Sequence, residues 1–186
     1  MAFARKKPAT YQDLIDVPGE RVAEIVDGEL YASPRPSLVH ALVASTLTSE
    51  LVGAFGLGRS GPGGWVILVE PELHVVEQVM VPDLAGWRRE RMPELPETAF
   101  AELAPDWVCE VTSPSTGALD RARKMPHYAR AGVGHLWLVD PAARTVEIFQ
   151  AAGDGWHLTT TFAENAKVRA EPFDAVELDL SLLWAR

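Results

Sequence analysis

An acid sits in the middle of an apolar strand. Asp106-Trp107-Val108-Cys109-Glu110-Val111-Thr112 has the composition of a short buried strand, with Glu110 flanked by Cys109 and Val111. An unpaired carboxylate in a low-dielectric interior costs several kcal/mol, so acids in such places have a partner or bind a metal. Strand alternation puts Val108, Glu110 and Thr112 on one face and Trp107, Cys109 and Val111 on the other. Upstream, Val79-Met80-Val81-Pro82-Asp83-Leu84-Ala85 repeats the pattern with Asp83. If the two strands are neighbours, Asp83 and Glu110 converge at one end of a sheet. Two such carboxylates repel each other unless a cation joins them. Mg²⁺ (or Mn²⁺) is the natural occupant, being hard, oxygen-seeking and held by one or two carboxylates plus water and substrate phosphate. Downstream, Lys124 ends an Arg-Ala-Arg-Lys stretch. Two acids and a following lysine are the parts of a divalent-metal phosphodiesterase site.

The 186 residues fit one domain, taken as 1–186, with 47% hydrophobic residues to fill a core. No run of the ~18 apolar residues that a membrane span needs stands out, and no apolar region follows the basic start to make a signal peptide. A single cysteine excludes an internal disulfide and a cysteine-based zinc site, and fits a reducing cytoplasm. The net charge of −9 counts against a generic nucleic-acid binder, although metal-binding acids contribute to it. The basic clusters Arg5-Lys6-Lys7, Arg88-Arg89-Arg91 and Arg121-Arg123-Lys124 read first as solvated surface.

Along the chain, Thr10 caps a short helix to about Val17. Arg21 to Val26 and Glu29 to Ala32 form a hairpin about Asp27-Gly28. Ser37 caps a long helix to about Phe55, whose apolar residues Val39, Val43, Leu47, Leu51 and Phe55 recur every fourth position. Strands follow at Trp65–Val69, Leu73–Glu77 and Val79–Ala85, with 86–105 as loop. After the Glu110 strand comes a helical region ending at Gly132, then strands at His135–Val139, Thr145–Gln150 and Trp156–Phe162. Alternation over Val176–Trp184 predicts an edge strand. Trp65, Trp107 and Trp137 read as core, as does Cys109. The whole is an α/β domain, a central mixed β-sheet flanked by helices.

Pro82-Asp83 and Glu110-Val111-Thr112 resemble the PD-(D/E)XK nuclease signature, except that Thr112 holds the place of the usual lysine. The wider text resembles the Uma-type restriction endonuclease family: Glu24-Ile25-Val26-Asp27-Gly28, Glu110-Val111-Thr112-Ser113-Pro114-Ser115-Thr116, Tyr128-Ala129-Arg130-Ala131-Gly132-Val133 and Trp137-Leu138-Val139-Asp140-Pro141. The resemblance implies a restriction-endonuclease-like fold and a DNA endonuclease whose lysine, Lys124, has migrated to the helix after the second acid. It implies Asp83 and Glu110 as metal ligands and Glu24 as a further metal or water ligand. His40 matches a histidine common in the family. Glu70 and Glu72, about Pro71, read as sheet-edge acids or as one more ligand. Pro126, two residues after Lys124, must either kink the helix or begin a new one. Cutting both strands of a duplex takes two sites, which favours a homodimer. The rival readings are an inactive nucleic-acid- or protein-binding module on the same fold, and a hydrolase of small phosphate esters.

Overall fold

The computed structural model describes residues 7–113 and 116–185. Arg5 and Lys6 of the first basic cluster, and Pro114 and Ser115 of the family segment, lie outside the described residues.

Thr10 caps α1 (Tyr11–Ile15) through a reciprocal capping box with Asp13. The hairpin β1 (Arg21–Val26) and β2 (Glu29–Pro34) pairs Val26 with Glu29, so its loop is Asp27-Gly28. Both loop residues have positive φ, 53° and 73°, the geometry that makes Asp-Gly the favoured sequence for such a turn. Ser37 caps α2 (Leu38–Leu51). A π-wound turn, Val52–Gly56, completes this helix. Leu38–Gly56 is long and apolar enough to cross a bilayer by length and composition. Its stripe of Val43, Leu47, Leu51 and Phe55 is instead packed into the protein core, whereas Val39 is exposed.

Then come β3 (Trp65–Val69), β4 (Glu72–Val75) and β5 (Gln78–Met80), followed by β6 (Leu84–Arg88), β7 (Phe100–Ala101) and β8 (Trp107–Val111). The expected strand Val79–Ala85 is therefore two strands, parted at Val81-Pro82-Asp83, because proline donates no ladder hydrogen bond. The chain changes sheets there. β5 belongs to a five-stranded sheet ordered β2-β1-β5-β4-β7, and β6 to a six-stranded one. The 86–105 segment is not all loop, since β6 runs on to Arg88 and β7 pairs with β4.

A helical segment of three windings follows β8: α3 (Gly117–Leu119), a π-wound stretch Asp120–Lys124, and α4 (Met125–Arg130). Pro126 stands in the first turn of α4, where its missing N–H costs little, and the π-wound residues precede it. The segment returns the chain to β9 (His135–Asp140), parallel to β8. β10 (Thr145–Ala152) and β11 (Gly155–Ala163) complete the second sheet, ordered β11-β10-β9-β8-β6-β3. The tail is not an edge strand. It holds the small pair β12 (Lys167–Val168) and β13 (Leu178–Asp179), then a 3₁₀ turn whose Leu180 and Leu183 are buried. A 3₁₀ turn eclipses residues three apart, so both leucines face the core.

The two faces of β8 explain the layering. Trp107, Cys109 and Val111 pack with Val43, Leu47 and Leu51 of α2, and with Trp65, Trp137 and Phe173. Val108, on the other face, packs with Met125, Tyr128, Leu136 and Leu138, and with Val26, Leu73 and Met80 from the first sheet. The six-stranded sheet is thus covered by α2 on one side and by the hairpin sheet and α4 on the other. Glu110 belongs to the second side.

Candidate active site

β6 and β8 are antiparallel neighbours, with Leu84 opposite Cys109. Asp83, one residue before β6, therefore stands at the same end of the sheet as Glu110. Asp83 Oδ2 accepts the Val111 N–H at 2.6 Å and lies 3.1 Å from His40 Nε2. His40 comes from the first turn of α2, so three elements fix this carboxylate. Burial alone lowers the affinity of the His40 ring for a proton, but Asp83 more than offsets this and raises its pKa above the ordinary histidine value. His40 Nδ1 is buried and has no hydrogen-bond partner among the described residues.

Lys124 is turned inward from the π-wound stretch and is only 2% exposed. Its neighbours face outward: Arg121 pairs with Glu147, and Arg123 lies 3.2 Å from Asp27. The ammonium is ion-paired with two carboxylates and donates to a backbone carbonyl. Nζ lies 2.8 Å from Glu24 Oε1, 2.8 Å from Glu110 Oε1 and 3.2 Å from the Val81 carbonyl. Asp120 is a fourth neighbour at 3.7 Å. Burial opposes the charge on Lys124, but Glu110 and Glu24 outweigh it and hold its pKa well above the usual lysine value.

Glu24 reaches this point from β1. Its Oε1 accepts the Val81 N–H at 2.8 Å as well as the lysine, which ties the hairpin to the sheet crossing. Glu70, just beyond β3, lines the pocket and lies 3.9 Å from Arg35; Glu72 pairs instead with Tyr11 and His74, away from the pocket. Thr112 donates from both N–H and hydroxyl to the Val139 carbonyl, so the usual place of the lysine faces β9. Two members of the cluster escape a reading built on the acid–acid–lysine order: Asp120 and Tyr128. Their signal was the spacing Asp120, Lys124, Tyr128, four residues apart each time, which puts all three on one helix face.

Glu24, Asp83, Glu110, Asp120 and Lys124 all line a cavity of about 350 Å³, with His40 and Glu70 on its wall. Five carboxylates among the described residues therefore line the cavity against two basic side chains, Lys124 and Arg35. Burial, then the neighbouring acids, pushes Glu110 well above the usual carboxylate range, an effect Lys124 only partly relieves. Burial likewise pushes Asp120 up to about 6. Such a site gains by taking up protons or a positive ion. Hard oxygen donors with excess negative charge suit Mg²⁺ or Mn²⁺. Among the described residues no three His, Cys, Asp or Glu side chains form a ready-made cage, and Glu24 is drawn toward Lys124 and Val81. Magnesium needs no such cage, since waters and phosphate oxygens complete its shell. Asp83 and Glu110 fit it.

The model of the Uma2 family, described as "Putative restriction endonuclease", matches residues 8–182, and the chain belongs to that family. A crystal structure of a "putative nuclease belonging to DUF820" from Anabaena variabilis superposes with a TM-score of 0.78 at 22% identity, over 95% of this chain and 98% of that one. The shared architecture is the restriction-endonuclease-like fold. No curated protein matches the chain.

Proposed function

We propose that this protein is a metal-dependent DNA endonuclease that hydrolyses phosphodiester bonds, acting as a homodimer in the cytoplasm with Mg²⁺ (or Mn²⁺) on Asp83 and Glu110. The observation that carries the reading is one over-acidic pocket, built by four separate segments of a nuclease-family fold, with a buried ammonium at its centre. Such an ion supplies Lewis acidity, neutralising phosphoryl charge and making water easier to deprotonate. The chain's own residues do the rest. Asp83 is oriented by the Val111 N–H and by His40. Lys124, whose pKa its acid neighbours hold well above the usual lysine value, adds positive potential where negative charge grows on the phosphoryl oxygens. Glu24 keeps that ammonium beside Glu110.

One observation favours the rival reading, a binding module without activity: the protein itself already surrounds the Lys124 ammonium with Glu24, Glu110 and the Val81 carbonyl. Plasmid nicking in Mg²⁺ or Mn²⁺ separates the two. Wild type is expected to nick, and Asp83→Asn and Glu110→Ala to fall by at least about 10²-fold. Equal activity in all three proteins identifies a contaminant, and no activity in any favours the binding module.

A further inference from the structure

Four tryptophans show one way in which this fold satisfies an inward-facing aromatic donor. The indole N–H groups of Trp87, Trp137, Trp156 and Trp184 each donate to a backbone carbonyl. Tyr128 does something else. It is wholly buried, and its hydroxyl donates to Glu110 Oε1 at 2.7 Å. That oxygen is the one already 2.8 Å from Lys124 Nζ. Tyr128 stands one helical turn beyond Lys124, so two donors reach a single carboxylate oxygen from one face of one helical segment.

The terminal torsion of a glutamate is broad, and a single donor leaves the carboxylate free to swing about it. Two donors on the same oxygen, fixed on a common helix, remove that freedom. We propose that Tyr128 is a positioning residue that sets the rotation of the Glu110 carboxylate, and so the direction in which it meets a divalent cation in the pocket. The proposal rests on the nuclease reading and deepens it. Partners that orient a ligating carboxylate commonly matter to metal sites by about 10- to 100-fold.

Tyr128→Phe keeps the ring and removes only the donor. In isothermal titration with MnCl₂ the variant is expected to bind Mn²⁺ about 10- to 100-fold more weakly than wild type. On plasmid, kcat is expected to fall to a similar degree with KM for DNA within about threefold. An ultraviolet difference spectrum of wild type on adding MnCl₂ tests the same link without a variant, and a buried-tyrosine difference band is expected. Mn²⁺ affinity within about twofold of wild type in a folded Tyr128→Phe overturns the proposal and leaves the nuclease reading intact. Should the variant not fold, the lack of a tyrosine band in Mn²⁺-binding wild type overturns it alone. Wild type that neither binds Mn²⁺ nor nicks plasmid overturns both.

Discussion

Replacing Lys124 by methionine tests the energetic core of the site without reference to catalysis. The ammonium is 2% exposed, ion-paired with Glu24 and Glu110 and hydrogen-bonded to the Val81 carbonyl, with Asp120 close by. Methionine fills much the same space but leaves three buried carboxylates facing one another. Removing one partner from a buried charge cluster costs about 3–5 kcal/mol, because the charges left behind have no counterion. For a domain of this size each kcal/mol moves the melting midpoint by about 2–4 °C, so Lys124→Met is expected to melt about 6–20 °C below wild type. Protonation of Glu110 and Asp120, both already held above the ordinary range, shrinks the loss at lower pH. Urea unfolding followed by circular dichroism, at neutral and mildly acid pH, gives both numbers. The double variant Lys124→Met/Glu110→Gln is expected to recover at least about 1 kcal/mol, since the two side chains touch. A single variant that loses less than about 1 kcal/mol behaves like a solvated surface pair and refutes the reasoning.

Two further outcomes follow from the same geometry. Mn²⁺ at about 100 times its dissociation constant is expected to add about 2.7 kcal/mol, a rise of about 5–11 °C in melting midpoint that EDTA reverses and Asp83→Asn abolishes; an equal rise in the variant rules out the pocket as its source. His135, whose pKa is lowered chiefly by burial, stays neutral in the fold at pH values where the unfolded chain takes up a proton. Its contribution is therefore present above the ordinary histidine pKa and lost as pH falls through the lowered one. The fall in melting midpoint from about pH 7.5 to about pH 5.5 is expected to be smaller in His135→Gln than in wild type, and identical slopes contradict the assignment.

What the sequence makes legible is whatever a local pattern encodes. The Asp-Gly hairpin, the Thr10 and Ser37 caps and the alternation through Glu110 each depend on residues within a few positions, and each appears where its pattern stands. The Glu110 strand also announced its own oddity, since only a partner could keep that acid there. Pairings were less visible. Periodicity ran straight through Val81-Pro82-Asp83, where the chain in fact passes from one sheet to another, because alternation is the same on both sides of a proline. The tail shows the same limit: Val176, Leu178 and Leu180 alternate, yet the 3₁₀ turn that buries Leu180 and Leu183 answers to the core beneath it. Asp120 and Tyr128 were hidden for another reason. Their roles come from sharing a helix face with Lys124, and that face is defined only once Pro126 and the π-wound turn have fixed how the helix is wound.

The switch at Pro82 has a mechanical corollary. Glu24 rides on one β-layer, whereas Asp83 and Glu110 ride on the other, so the pocket lies along the seam where the layers meet. Any slip or tilt of one layer against its neighbour becomes a change in carboxylate spacing, with Lys124 as the clasp that resists it. The width of the jaws is set by how the two slabs pack, and a substitution deep among Val26, Leu73 and Met80 can retune it from a distance.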